Sequence, residues 1–173
     1  LHAPVQVADD VFRLRERGAE YVIGYLHWGV KNNFEPVEGQ RQTAQELADL
    51  GVDYIVGSHP HLVQRYELLR SSDGRKVPCI YSVGDFNSYI NQVEGNLDSV
   101  LVRIRLHRTK KGRVILAENA YIPCHIYRSY GDARYVTMPM DKALNGGAAL
   151  SERKEVLERI AEQVGDDLPR YEP

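Results

Sequence analysis

The chain has 173 residues and a formal net charge of −2; 43% of its residues are hydrophobic and 27% are charged. This length and composition predict one globular, soluble domain with its own core. Because the net charge is small and basic residues are interspersed with acidic ones, nucleic acid is not an expected partner. No apolar run reaches the roughly 18 residues that a membrane-spanning helix needs.

The first half of the chain alternates between helical and strand-like patterns. Residues 7–17 place apolar side chains at helical spacing, so we predict an amphipathic helix that ends at Gly18. Residues 21–26 and 53–56 are short apolar runs that stop at small or polar residues, which is typical of buried parallel strands. Residues 40–50 have a helical pattern between them. This order predicts a β-loop-α-β unit whose two strands end at the same sheet edge.

The following segments predict antiparallel strands. Residues 62–69 and 77–83 flank a Ser-Asp-Gly turn and should form a hairpin. Residues 100–106 alternate between apolar and polar side chains, and residues 114–120 return after a Lys-Lys-Gly turn, so a second pair is expected. Together with the helices, these strands place the chain in the α/β class.

The last third of the chain has weaker patterns. Residues 121–135 are rich in tyrosine and are interrupted by proline and glycine, which indicates a strand and loop that cover a sheet edge. Residues 151–164 predict an amphipathic helix with Ser151 as its N-cap. The polar residues 165–173 are expected to be a frayed tail.

Three of the six histidines follow predicted strands directly. His27 ends the first strand, and His59 and His61 follow the second, so all three imidazoles should lie at one sheet edge. Pro60 favours an extended backbone at His59, which would turn the two flanking histidines to the same side. They could bind one divalent ion or divide between two ions about 3.5–4 Å apart. Ordinary loop histidines bonded to backbone carbonyls are the alternative. The remaining three are predicted to be non-catalytic: His2, His107 and His125.

Asp85 follows the strand of residues 77–83 and could bring a carboxylate to the histidines. A carboxylate commonly holds the second ring nitrogen of a metal-binding histidine, and an aspartate in an ordinary turn is the alternative. The sequence has no Gly-x-Ser-x-Gly elbow, and neither Cys79 nor Cys124 has a second cysteine at metal-ligand spacing. Nucleophilic catalysis by a side chain is therefore not expected, and we predict His27 and Asp85 as the catalytic residues.

Several motifs at the predicted strand ends share their order and spacing with one known family. They are His27-Trp28-Gly29, Pro36, Gln40, Gly51-Val52-Asp53, Gly57-Ser58-His59-Pro60-His61 and Tyr81-Ser82-Val83-Gly84-Asp85-Phe86. Over about residues 7–106 the chain resembles the CapA family of bacterial poly-γ-glutamate capsule-synthesis proteins, which is similar to the calcineurin-like metallophosphoesterases. The resemblance implies part of a four-layer α/β/β/α sandwich with mixed sheets. It also implies two divalent metal ions (Mn, Zn or Fe), with His27 and His59 as ligands of one and His61 as a ligand of the other.

The chain departs from the family pattern within these motifs. Ser58 stands where a third histidine is usual, and Asp85 stands where the family usually has asparagine. Lys31 and Asn32 replace the usual acidic-aromatic pair. The histidine ligands implied by the resemblance are therefore present, while their immediate neighbours differ.

A further departure concerns the ligands that the family takes from its N-terminal half. In the family these are Asp and Asn side chains, including a bridging carboxylate. The only aspartates that precede the first strand here are Asp9 and Asp10, which lie within a helical pattern, and the chain begins with Leu1. We therefore expect residues 1–173 to be a single domain that is the C-terminal portion of a longer CapA-like domain. A strand that is internal in the complete sandwich would then expose its edge, through which a homodimer could form.

The resemblance implies a capsule or poly-γ-glutamate biosynthesis protein with a di-metal hydrolase site that acts on a phosphoester or a γ-glutamyl amide. Its implied partners are the capsule polymer or polymer-synthase proteins, and its implied place is the outward face of the cell envelope, with a membrane-anchored parent protein. One alternative is a non-catalytic envelope component that keeps the metal fold and binds polymer or a synthase. Another is a complete protein with a mononuclear three-histidine zinc site.

Overall fold

The computed structural model describes residues 4–88, 92–128, 134–147, 150 and 152–173. The helices are α1 (Pro4–Glu16), α2 (Glu38–Asp49) and α3 (Arg153–Val164). The strands are β1 (Ile23–His27), β2 (Tyr54–Ser58), β3 (Val63–Arg70), β4 (Lys76–Val83), β5 (Asp98–Arg108), β6 (Val114–Arg128) and β7 (Tyr135–Pro139). They form a sheet in the order β1-β2-β4-β3 and a sheet in the order β5-β6-β7.

The first sheet is mixed, which confirms the predicted α/β fold with mixed sheets. Strand β2 runs parallel to both β1 and β4, whereas β3 and β4 form the predicted antiparallel hairpin. The carboxyl ends of β1, β2 and β4 consequently lie at the same edge. This is the edge at which open α/β sheets bind ligands.

Helices α1 and α2 pack on one face of the first sheet. Ala44 and Ala48 lie four residues apart on α2 and are fully buried, which brings that helix close to the sheet. Val11 of α1 joins the same cluster, together with Ile55 and Cys79 from the sheet. The buried side chains of both helices therefore face the strands that carry the predicted site, while Phe12 of α1 is exposed.

A second cluster fills the space between the two sheets. It contains Val63 and Ile80 from the first sheet and Val100 from the second. Helix α3 contributes Val156 and Ile160, whose spacing of four residues places them on one helix face. Helix α3 thereby contacts β3, β5 and β6, which belong to both sheets.

Two predictions for the C-terminal third were wrong. Residues 121–128 continue β6, which is the central strand of the second sheet and does not cover an edge; residues 129–133 lie outside the described part. Tyr121, Cys124 and Ile126 of this run are buried, so it behaves as a core strand in spite of its proline. The tail is ordered, because Leu168 is buried and the amide of Tyr171 donates to the carbonyl of Tyr121 at 2.8 Å. Helix α3 begins at Arg153, and the predicted N-cap Ser151 lies outside the described residues.

Strand β1 is the terminal strand of the first sheet, and its side chains Ile23 and Tyr25 are exposed. Among the described residues, no strand pairs with the outer edge of β1. Such an edge offers a template for another strand, so dimerisation through β1 stays a prediction. Cys79 and Cys124 are buried free thiols. Within the described ranges, no helix has the length and apolar character needed to cross a membrane.

Candidate functional site

The predicted site residues follow the ends of three adjacent parallel strands. His27 is the last residue of β1, His59 and His61 come directly after β2, and Asp85 comes two residues after β4. Three short apolar strands that stop at the same level thus place four polar side chains along one edge of the sheet.

The imidazole of His59 lies next to those of His27 and His61. Nδ1 of His59 is 2.8 Å from Nε2 of His27, and the two ring centroids are 4.5 Å apart. The ring of His61 lies 6.0 Å from that of His59. Because one ring nitrogen must donate while the other accepts, His27 and His59 share a single bridging proton, and their tautomers depend on each other.

Asp85 contacts the third imidazole. Nδ1 of His61 is 2.9 Å from both carboxylate oxygens of Asp85, and both side chains are mostly buried. With its proton on Nδ1, His61 donates to the carboxylate and keeps the lone pair of Nε2 available. This is the contact that a metal-binding histidine usually makes, while the catalytic role of Asp85 stays a prediction.

The backbone of the histidine loop (residues 59–61) differs from the prediction. The φ angles of His59 and His61 are 102° and 59°, so neither residue has the extended conformation that Pro60 was expected to impose. Proline only biases the residue before it, and tertiary contacts prevail here. The Pro60 carbonyl accepts from the backbone amide of Asn32 at 2.8 Å, and the His61 carbonyl accepts from Nδ2 of Asn96 at 2.9 Å.

Trp28 and Gly57 pack closely together beside the strand ends. The Trp28 indole is buried, and its Nε1 donates to the Tyr81 carbonyl at 2.8 Å. A Cβ atom on Gly57 would lie 2.0 Å from that carbonyl oxygen and 2.3 Å from the indole nitrogen, so only glycine fits. The hydroxyl of Ser58 donates to the Leu26 carbonyl at 3.1 Å and joins the ends of β1 and β2.

Two buried glutamines fix the loop between β1 and α2. Nε2 of Gln40 donates to Oε1 of Gln64 at 3.0 Å, and Nε2 of Gln64 donates to the Asn33 carbonyl at 2.9 Å. Oε1 of Gln40 also accepts from the Val37 amide at the start of α2. The loop that flanks His27 is therefore held by polar groups inside the protein.

The environment of His59 favours its neutral form. Partial burial lowers the pKa of His59, and the neighbouring His27, His61 and Lys31 act in the same direction. A divalent metal binds the neutral imidazole, because the ligand must supply a nitrogen lone pair. The electrostatics of the loop thus suit a ligand role for His59.

The histidine side chains are of a type that binds metal ions, but their positions do not form a metal-binding group. Within the described ranges, no group of three or more His, Cys, Asp or Glu side chains is placed to hold a metal ion. His27 and His59 stand at hydrogen-bonding distance from each other, and Asp85 is engaged by His61. Imidazole is nevertheless a preferred ligand of Zn²⁺ and similar ions. The imidazoles that the resemblance implies as ligands thus lie at one edge, and their role as ligands stays a prediction.

Sequence reasoning missed two features around this edge. The first is the partner of His125, whose Nδ1 lies 2.6 Å from Oδ1 of the fully buried Asp98. The two residues are opposite each other in the β5–β6 pair, so only the strand register could have revealed the contact. The contact of Asn96 with His61 was also missed, since Asn96 shows only a common Gly-Asn loop pattern.

Comparison with known proteins gives consistent matches. The profile of the family described as bacterial capsule synthesis protein PGA_cap matches residues 2–89, which include every predicted site residue. The PGA biosynthesis protein CapA of Bacillus subtilis (strain 168) is 32% identical over 98 residues, which are 57% of this chain and 24% of that protein. The capsule biosynthesis protein CapA of Bacillus anthracis is 29% identical over 128 residues, which are 74% of this chain and 28% of that protein. The matches thus span about a quarter of those relatives. The resemblance drawn from the strand-end motifs is confirmed, and the chain belongs to the bacterial capsule synthesis protein PGA_cap family.

Proposed function

We propose that this chain carries the histidine part of a metal-dependent hydrolase site in a capsule biosynthesis protein. The observation that supports it is the contact of His27 with His59, beside a His61 ring that Asp85 orients. All four side chains lie at the carboxyl ends of parallel strands, the usual ligand-binding edge of an open α/β sheet.

The ring positions favour a division of the histidines between two divalent ions. His27 and His59 point ring nitrogens at each other, whereas His61 turns its Nδ1 away to Asp85. His27 and His59 would hold one Mn, Zn or Fe ion, and Nε2 of His61 would face the second. When bound, such ions supply Lewis acidity and a water of lowered pKa. Asp85 keeps the Nδ1 proton on His61, which leaves Nε2 free to act as a ligand.

The proposed substrate is a phosphoester or a γ-glutamyl amide of a capsule polymer or its precursor, and the proposed setting is the outer face of the cell envelope. The support comes from two relatives, one named as a PGA biosynthesis protein and the other as a capsule biosynthesis protein. The capsule polymer itself or a polymer-synthase protein is the proposed partner.

A second candidate is a non-catalytic envelope component that binds polymer or a synthase through the inherited metal fold. The observation that favours it is the lack, among the side chains that the structure describes, of a complete metal-binding group. Metal binding and turnover separate the two candidates, because the first requires both.

The test is titration of the purified chain with Zn²⁺ and with Mn²⁺ by calorimetry, with metal content measured by mass spectrometry. A variant that combines His27→Ala with His59→Ala should lose metal, while His107→Ala, which removes an exposed histidine of β5, should keep it. The metal-loaded protein is then assayed on bis-p-nitrophenyl phosphate and on γ-glutamyl p-nitroanilide. Turnover of either substrate supports the hydrolase, metal without turnover supports the second candidate, and no metal binding refutes the hydrolase.

A further inference from the structure

The side chain of Asn96 links the second sheet to the histidine loop. It is fully buried, and its Nδ2 donates to the His61 carbonyl at 2.9 Å and to Oδ1 of Asn32 at 3.1 Å. Its Oδ1 accepts from the amides of Gln92 and Val93 at 2.9 and 3.0 Å. The amide oxygen of Asn96 therefore stabilises the loop of residues 92–96, and its amide nitrogen donates to the histidine loop and to Asn32.

The groups that Asn96 contacts have an unusual backbone. Both His61 and Asn32 have a φ angle of 59°, in the left-handed region that non-glycine residues rarely adopt. Residues stay in that region when surrounding contacts hold them there. The hydrogen bond from Asn96 fixes the carbonyl of His61, and with it the direction in which the His61 side chain leaves the backbone towards Asp85.

Asn96 is in turn held in place by the second sheet and α3. The carboxylate of Asp98, two residues further on, is buried between Nδ1 of His125 at 2.6 Å and Nε of Arg159 at 2.5 Å. The amide of Ile126 on β6 donates to the Leu97 carbonyl at 2.8 Å. The segment that carries Asn96 is therefore bonded to β6 and to α3.

We propose that Asn96 is a positioning residue of the histidine site. It keeps His61 in the left-handed conformation that places Nδ1 on Asp85 and leaves Nε2 available at the strand-end edge. The consequence for metal affinity rests on the proposed function, whereas the effect on the His61–Asp85 contact does not need a metal.

Two substitutions remove the donor of Asn96. Asn96→Asp has the same shape and still accepts from Gln92 and Val93, yet it has no donor for His61. Asn96→Ala removes the donor together with the acceptor and introduces no buried charge, so it serves if the aspartate variant does not fold. The matched control is Asn119→Asp, since Asn119 donates to the Tyr66 hydroxyl and accepts from that of Tyr54, at the opposite end of β2.

The first readout is the ¹⁵N spectrum of the imidazoles in the metal-free protein at constant pH. We expect one His61 tautomer, with its proton on Nδ1, in the parent chain and in Asn119→Asp, and a mixture in both Asn96 variants. The second readout is Zn²⁺ affinity by chelator competition, which should fall about 10–100-fold in the Asn96 variants, as is typical when an outer partner of a ligand is removed.

A thermal melt of each variant distinguishes positioning from simple stabilisation. If the Asn96 variants melt earlier while the His61 spectrum and the Zn²⁺ affinity stay as in the parent chain, the proposal is wrong and Asn96 is only structural. If the parent chain binds no Zn²⁺ or Mn²⁺, the proposed function fails, and the His61 spectrum alone still decides the role of Asn96.

Discussion

Two histidine–aspartate pairs with the same atoms in contact have different surroundings. His61 and Asp85 meet at the carboxyl ends of the parallel strands, with 23% and 18% of their side-chain surfaces exposed. His125 and Asp98 meet between β5 and β6, with 9% and 0% exposed. The ring of the first pair lies 6.0 Å from the imidazole of His59, whereas Asp98 directs its second oxygen to Arg159 on α3.

The comparison shows that position in the fold, more than residue type, determines what such a pair can do. Asp98 holds the pKa of Arg159 above its ordinary value through their hydrogen bond, so a buried ion pair ties α3 to β5. The ring of His125 packs edge-on against Tyr127 at 4.8 Å. This pair therefore serves packing, while the pair at the strand ends keeps a ring nitrogen open to a ligand.

The largest predicted effect is on stability and comes from the buried pair. Asp98→Ala leaves His125 without its carboxylate. Arg159 then loses its buried partner and keeps a contact with the exposed Glu94. Because breaking a fully buried ion pair typically costs about 3–5 kcal/mol of unfolding free energy, we expect a loss near the lower end of that range. Asp85→Ala removes a contact that is partly open to solvent, and we expect a loss of about 1 kcal/mol or less. Urea denaturation of both variants measures the difference. Equal losses would mean that the two pairs do not differ in the way that their burial indicates.

The second prediction concerns metal binding, for which we expect the larger effect at the strand-end histidines and the smaller one at His125. His59→Ala and His61→Ala each remove a proposed ligand, so we expect Zn²⁺ affinity to fall by more than about 100-fold, beyond the effect of an outer-partner change. Both variants should melt near the parent temperature, because the loop lies outside the two clusters of buried apolar side chains. His125→Ala is the control, which should keep its metal and melt earlier. Full metal in the two loop variants would show that these histidines are structural.

The positions of the site residues were predictable because they depend on local patterns. An apolar run that stops at His27, at Ser58 or before Asp85 marks a strand end, and parallel neighbours bring such ends together. This reasoning needs no knowledge of side-chain contacts, and it gave the edge correctly.

The conformation of the histidine loop was not predictable in the same way. The positive φ angles of His59 and His61 accompany hydrogen bonds that Asn32 and Asn96 donate to the loop. Asn96 lies 35 residues from His61 in the sequence. The pairing of His125 with Asp98 likewise depends on the register of β5 and β6. Local sequence patterns do not carry such distant contacts, so the backbone bias of Pro60 gave the wrong conformation.

The third prediction tests whether Asp85 orients His61. Asp85→Ala removes the acceptor for the Nδ1 proton, and we expect Zn²⁺ affinity to fall about 10–100-fold. Asp85→Asn keeps an oxygen acceptor in nearly the same place, so its loss should be smaller than that of the alanine variant. Calorimetric titration of the two variants, with a melt as control for folding, measures this. A larger loss for asparagine than for alanine would contradict an orienting role.

The smallest predicted effect is at Ser58, which directly precedes the histidine loop. Although it is next to His59 in the sequence, we do not expect its side chain to act on metal binding. Its hydroxyl donates to the Leu26 carbonyl across β1 and β2 at 3.1 Å, and thus joins strands. We expect Ser58→Ala to lose about 0.5–1.5 kcal/mol of unfolding free energy, the usual contribution of one hydrogen bond. Zn²⁺ affinity should change less than about twofold, because an outer partner of a ligand would cost at least tenfold. Titration beside His61→Ala gives the reference for a lost ligand, and a tenfold loss in Ser58→Ala would place this hydroxyl among the groups that act on the histidines.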